Sequence, residues 1–236
     1  MYPTRPPGPS ARPVGPPRPP VPSTGAATLG HQCDDGTVSR PTFAEVLADP
    51  AVVEESVIRG RVGFMAYHGG GLEEMTDVIA RAAAERSDAS YYGVVHPPGW
   101  KVHVPSIHID PTVSDRLTRF LDRVDVVITV HGYGRRALLT SLLLGGQNRE
   151  AASHVATHLR ARLPAYDVRD DLESIPAELR GIHPRNPVNL PPAAGVQIEL
   201  PPRVRGSSPL WWDWEHGLVP HTRSLISALA TAASTL

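Results

Sequence analysis

His68, Glu73 and His131 are the residues of this 236-residue chain whose types and spacing could hold a metal ion. In VGFMAYHGGGLEE, Val62 to Glu74, an apolar run ends in His68, three glycines follow, and a glutamate pair comes next. In VDVVITVHG, Val124 to Gly132, a β-branched run again ends in a histidine and a glycine, at His131. A lone histidine at a strand end is an ordinary satisfied polar residue. The repeated pattern with Glu73 nearby points instead to zinc: two imidazoles and a carboxylate are the donor set of a catalytic site that keeps its fourth position for water. Glu199, in the late run GVQIEL, also sits near a strand end, and ligands of open α/β sheets gather at such ends.

The elements that must position these residues follow from periodicity. Arg61 to Tyr67 reads as a core strand, and Leu72 to Ser87 as an amphipathic helix with Leu72, Met75, Val78, Ile79 and Ala82 on one face. A short helix precedes them in TFAEVLADP, and AVVEESVIRG leads into the first core strand. Ala89 to Val95 and Trp100 to Ile109, split by the turn signal HPPG, predict two strands. A helix opens at Asp110-Pro111. Val124 to Val130 predicts a central strand covered on both faces, and Ala137 to Leu144 another strand. Asn148 caps a helix running to about Arg162. Pro164 to Pro192 is a polar, proline-broken connection before the strand at Gly195 to Leu200 and a C-terminal helix from Leu218. Strands alternating with helices predict a single α/β domain, a mixed and mostly parallel sheet with helices on both faces.

Composition bounds the rest. Residues 1–41 hold runs such as RPPGPSARPVGPPRPPVPS, with too few apolar side chains to offset the entropy of ordering, so they read as a disordered tail before a folded domain at 42–236. A net charge of -1 offers no general attraction to nucleic acid or anionic lipid. No run approaches the roughly 18 to 20 apolar residues of a membrane span, and the N-terminus lacks the apolar core of a secretory signal. The expectation is a soluble protein, cytoplasmic by default. Cys33 is the one cysteine, which fits a reducing compartment. Trp211, Trp212 and Trp214 predict an aromatic lid packing the C-terminal helix, or a wall of a substrate groove.

Taken in order, HGGGLEE at His68, VHVPSIHID ending at Asp110, VVITVHG ending at Gly132, LGGQNRE at Leu144 to Glu150, and NPVNLPPAAGVQIEL at Asn186 to Leu200 resemble the poly-γ-glutamate hydrolase family of bacteriophages and bacteria. The resemblance spans the folded portion. It implies a zinc carboxypeptidase-like fold, zinc on His68, Glu73 and His131, and Glu199 as general base. It also implies a substrate rich in free carboxylates, for which Arg205, matching an arginine common in the family, is the first partner. Arg149 and Arg135 are further candidates, because a guanidinium grips a carboxylate with two hydrogen bonds. Asn186 and Asn189 resemble paired asparagines that orient substrate or make the turn. His103 and His108, five residues apart, would point to opposite faces of a strand, and His103 is the one expected to face the substrate. Pro201 and Pro202 depart from the family pattern and bear on the path to Arg205.

The sequence thus predicts a zinc-dependent amidohydrolase that cleaves γ-glutamyl amide bonds in a glutamyl polymer. Two rivals stand beside it. One is a zinc deacylase or carboxypeptidase acting on small N-acyl or γ-glutamyl compounds. The other is a non-catalytic, phage-related binding or structural module.

Overall fold

The parallel strands that carry the candidate residues lie side by side in the middle of one sheet. The computed structural model describes residues 40–207 and 217–236. Residues 1–39 of the proline-rich tail, Cys33 among them, and the tryptophan cluster at Trp211, Trp212 and Trp214 lie outside the described residues. Seven strands run in chain order: β1 Val53–Val57, β2 Val62–Gly70, β3 Ser90–His96, β4 Val126–Gly132, β5 Ser141–Gly145, β6 Asp167–Arg169 and β7 Gly195–Leu200. Their spatial order is β1-β3-β2-β4-β7-β5-β6. The pairs β3/β2, β2/β4, β4/β7 and β5/β6 are parallel. The pairs β1/β3 and β7/β5 are antiparallel, so the sheet is mixed and mostly parallel, as the alternation of elements predicts.

Side chains alternate across the pleat and feed two cores. On one face Phe64, Ala66, Ile128, Val130, Val196 and Ile198 pack against helices α2 (Thr76–Ser87), α4 (Arg149–Arg162) and α6 (Pro220–Ala233). On the other, Met65, Tyr67, Tyr92 and Val127 meet helices α1 (Phe43–Ala48) and α3 (Asp115–Arg123). Thr42, Ser114 and Asn148 cap α1, α3 and α4 with side-chain oxygens that accept backbone N–H groups. A fifth, four-residue helix, α5 (Pro202–Arg205), begins with the prolines after β7, a position where a missing N–H costs nothing. Among the described residues no helix is long and apolar enough to cross a membrane.

Five local expectations are corrected. β2 extends through His68 to Gly70. The helix expected from Leu72 begins at Thr76, because the Glu73 amide turns back to the His68 carbonyl at 2.8 Å and Met75 takes φ +73. Trp100 to Ile109 is no strand: Pro105 has no N–H for a ladder, and the carbonyls of Val102 and Val104 accept from the Trp100 indole and from His68. The strand predicted from Ala137 is confined to β5, and the connection from Pro164 holds the short edge strand β6.

Candidate metal and catalytic site

The carboxyl ends of β2, β4 and β7 bring His68, His131 and Glu199 to one edge of the sheet, with His131 and Glu199 as register partners. A strictly alternating strand would send Tyr67 and His68 to opposite faces. The register of β2 against β3 slips between Ala66 and Gly69, and such an irregularity re-aims side chains. Both rings reach His131: the Tyr67 and His68 centroids lie 5.0 Å and 5.1 Å from it.

Glu73 arrives by the glycine loop. Gly70 takes φ +64, and a Cβ there would lie 2.3 Å from the His96 carbonyl oxygen, so no other residue type fits without displacement. The tight return puts Glu73 Oε1 3.0 Å from His68 Nδ1 and Glu73 Oε2 3.2 Å from His131 Nδ1. The Gly132 amide donates to the same Oε2 at 2.8 Å.

The outer nitrogens of both rings are engaged from behind. His68 Nε2 lies 2.9 Å from the Val104 carbonyl, which can only accept, so Nε2 carries the proton. His131 Nε2 lies 3.1 Å from the Tyr67 hydroxyl. The inward-facing Nδ1 atoms therefore either hand a proton to Glu73 or offer a lone pair to a cation. Two buried imidazoles and one carboxylate, oriented by oxygen partners behind them, fit a zinc site of three protein ligands.

His103 adds a third imidazole. Its ring centroid lies 4.5 Å from that of His68, and ligand atoms of His68, Glu73 and His103 fall within 4.8 Å of one another. It comes from the loop before Ser106, not from a strand, and lines the same cavity.

Electrostatics separate the two glutamates. Burial works against the Glu73 carboxylate, yet the charges and hydrogen bonds of His68 and His131 hold its pKa far below the usual range. Burial pushes Glu199 up to about 7; the charge of Glu73 adds to the rise, while His131, a Gln197 hydrogen bond and Arg205 oppose it. His131 is moved up, because the Glu73 carboxylate and Glu199 outweigh the burial of its ring. Desolvation first, then the charge of His68, lowers His103 to about 4, so its ring is neutral at ordinary pH.

A cavity of 510 Å³ opens onto this group, its walls including His103, Tyr133, His183, Asn186, Gln197 and Glu199. Of the other predicted residues, Asn186 lines this cavity and the rest fall outside it. Arg205 is buried behind the site, where it donates to the Glu74 and Leu200 carbonyls and packs under Gly132. Arg149 donates to the carbonyls of Leu144, Gly146 and Asp170. Arg135 pairs with Glu178, a residue of the cavity rim. Asn189 accepts from the Gln147 amide and donates to the Gly181 and His183 carbonyls, bracing that rim. Asn186 is buried beside Gln197. Gln197 and Tyr67 are the site residues that sequence reading missed. The signal for Gln197 is its place two residues before Glu199, hence on the same face of β7.

A family model described as poly-gamma-glutamate hydrolase matches residues 43–208. The fold is similar to that of a bacteriophage poly-gamma-glutamate hydrolase, with a TM-score of 0.67 at 19% identity over 78% of this chain and 89% of that one. It is equally similar to the zinc-free apo form of YNDL, with a TM-score of 0.66 at 19% identity over 81% of this chain and 95% of that one. The SPbeta prophage-derived UPF0714 protein YoqZ of Bacillus subtilis (strain 168) is 33% identical over 101 residues, or 42% of this chain. The chain matches only 35% of that relative's length.

Proposed function

Because the chain belongs to the poly-gamma-glutamate hydrolase family, we propose that it is a zinc-dependent hydrolase cleaving γ-glutamyl amide bonds of a glutamyl polymer. His68, Glu73 and His131 hold the ion, and Glu199 is the general base. The observation that carries this reading is the convergence of two Nδ1 atoms on the two oxygens of Glu73, with Glu199 register-paired to His131 in the next strand.

When bound, the zinc ion supplies Lewis acidity, which polarises the scissile carbonyl and makes water a stronger acid. Glu199 takes the proton of the attacking water and returns it to the leaving amine. A carboxyl poised near neutrality suits that double role better than an ordinary glutamate. The Gln197 amide holds Glu199 Oε1 at 3.0 Å. His103, neutral at the cavity wall, offers a hydrogen-bonding partner to the substrate.

The polymer is favoured over small acyl-amino acids by what adjoins the cavity. A groove of 780 Å³ shares Pro105 and Ile107 with it and carries Arg40, His108 and Arg185 against a single carboxylate, Asp110, among largely apolar walls. A γ-linked glutamyl chain alternates methylenes with free carboxylates, and such a surface suits both parts.

The test is zinc content together with digestion of poly-γ-glutamate. Wild type is expected to hold about one zinc, and His68→Ala and His131→Ala to lose both metal and hydrolysis. His103→Ala is expected to keep the metal; loss of zinc in that variant would make His103 the third ligand in place of His131. Oligomeric products would support internal cutting of a polymer, whereas hydrolysis confined to small acyl-amino acids would favour a deacylase.

A further inference from the structure

Behind Glu199 and His131 runs a line of buried polar side chains whose donors and acceptors are fixed by backbone neighbours. Asn186 Oδ1 accepts from the Val188 amide at 3.3 Å, and Asn186 Nδ2 faces the Gly181 carbonyl at 3.5 Å. Gln197 Nε2 faces the Leu179 carbonyl at 3.3 Å. A backbone amide only donates and a carbonyl only accepts, so neither side-chain amide can be turned over without losing its partners.

With both amides fixed, the direction of every remaining bond follows. Gln197 Nε2 donates to Glu199 Oε1 at 3.0 Å. Asn186 Nδ2 donates to Gln197 Oε1 at 2.8 Å. The Tyr67 hydroxyl donates to Asn186 Oδ1 at 3.2 Å, which leaves its oxygen to accept from His131 Nε2 at 3.1 Å. Gly181, at φ +62, leaves room for the line: a Cβ there would stand 2.4 Å from Gln197 Oε1.

We propose that Tyr67, Asn186 and Gln197 are positioning residues forming one directional relay from His131 to Glu199. It fixes His131 as the Nε2–H tautomer, so that Nδ1 faces Glu73, and it anchors one oxygen of Glu199, leaving the other for proton transfer. Bonds aligned head to tail polarise one another, so the line acts as a unit and not as four separate contacts. The inference rests on the proposed roles of His131 and Glu199.

Two measurements test it. Metal-free Glu73→Ala protein has no carboxylate competing for the Nδ1 proton. Long-range ¹H–¹⁵N NMR of that variant, at a pH where the imidazole is neutral, is expected to place the His131 proton on Nε2, and to lose that preference when Tyr67→Phe is added. A neutral His131 protonated on Nδ1 in Glu73→Ala would overturn the relay. This arm needs neither metal nor substrate, so it decides the relay even if zinc-dependent hydrolysis is absent and the functional reading fails.

The second measurement is a double-mutant cycle on zinc-loaded protein. Tyr67→Phe and Gln197→Leu are each expected to lower kcat about 10- to 100-fold with KM little changed. The double variant should fall no further than the worse single, because either break disconnects the same unit. Losses that multiply would overturn the relay. Should Gln197→Leu fail to fold, Asn186→Asp serves in its place: it keeps the shape and both acceptor contacts but has nothing to donate to Gln197. Wild-type kcat in Asn186→Asp would contradict the proposal.

Discussion

Glu199 and His131 face each other across one ladder step, which lets each be altered without moving the strand that holds the other. Glu199→Gln is expected to retain zinc and lose about 10²- to 10⁴-fold in kcat, the usual contribution of a positioned acid–base group. Unchanged turnover would remove Glu199 as the base. The same group makes the metal-free protein sensitive to pH. A carboxyl raised from 4.5 to about 7 binds its proton more tightly in the folded state, so its contribution to stability is lost as pH rises across that window. His131, also raised, loses its contribution in the same direction above 6.5. His103, lowered to about 4, pulls the overall midpoint the other way, so the prediction is a difference: the stability of metal-free wild type relative to Glu199→Gln should fall between about pH 5 and about pH 8, read by denaturant midpoints at both pH values. At this scale the sequence places His68, Glu73, His131 and Glu199 at strand ends and beside glycines, which leave a local trace, and the structure brings all four to one cavity. It says little about guanidiniums. Arg149 and Arg205 turn to backbone carbonyls that come from distant segments, Asp170 and Glu74, and no local spacing announces such partners.

The glycine loop is the element on which the metal geometry depends. Gly70→Ala places a Cβ against the His96 carbonyl at a left-handed φ, a conformation that by itself costs roughly 1–2 kcal/mol for a residue with a Cβ. The expected outcome is a lower denaturation midpoint and weaker zinc binding, read by chemical unfolding and competitive chelation. Full zinc affinity would mean that the loop does not set the Glu73 position. The alternation of β2, β4 and β7 is legible because an apolar run of β-branched residues has few other uses in a chain of this composition. The segment from Trp100 to Ile109 misleads for a physical reason: its valines and isoleucines pack as a loop over the site, since Pro105 cannot join a ladder. That loop carries His103 to the cavity, so the misread element still brings the histidine that the sequence singles out to the site.

For the whole molecule, the mixed sheet with helices on both faces follows from the sequence, while the groove beside the active cavity does not, since its walls come from α1, the loop after Trp100 and the connection near Arg185. If that groove guides polymer, Arg185→Glu should raise KM for long poly-γ-glutamate by about fivefold, the equivalent of roughly 1 kcal/mol for an exposed charge contact, and leave short oligomers unaffected. Equal effects on all lengths would remove the groove from the substrate path. The central claim is that one zinc ion, held by two strand-end histidines and Glu73, enables this chain to cut γ-glutamyl bonds. Its most direct test is to strip the metal, add zinc back in known amounts and follow the hydrolysis of poly-γ-glutamate. Activity should be absent without metal and rise in proportion to zinc until about one ion per chain. Hydrolysis that survives stripping, or none once a full equivalent is bound, would contradict it.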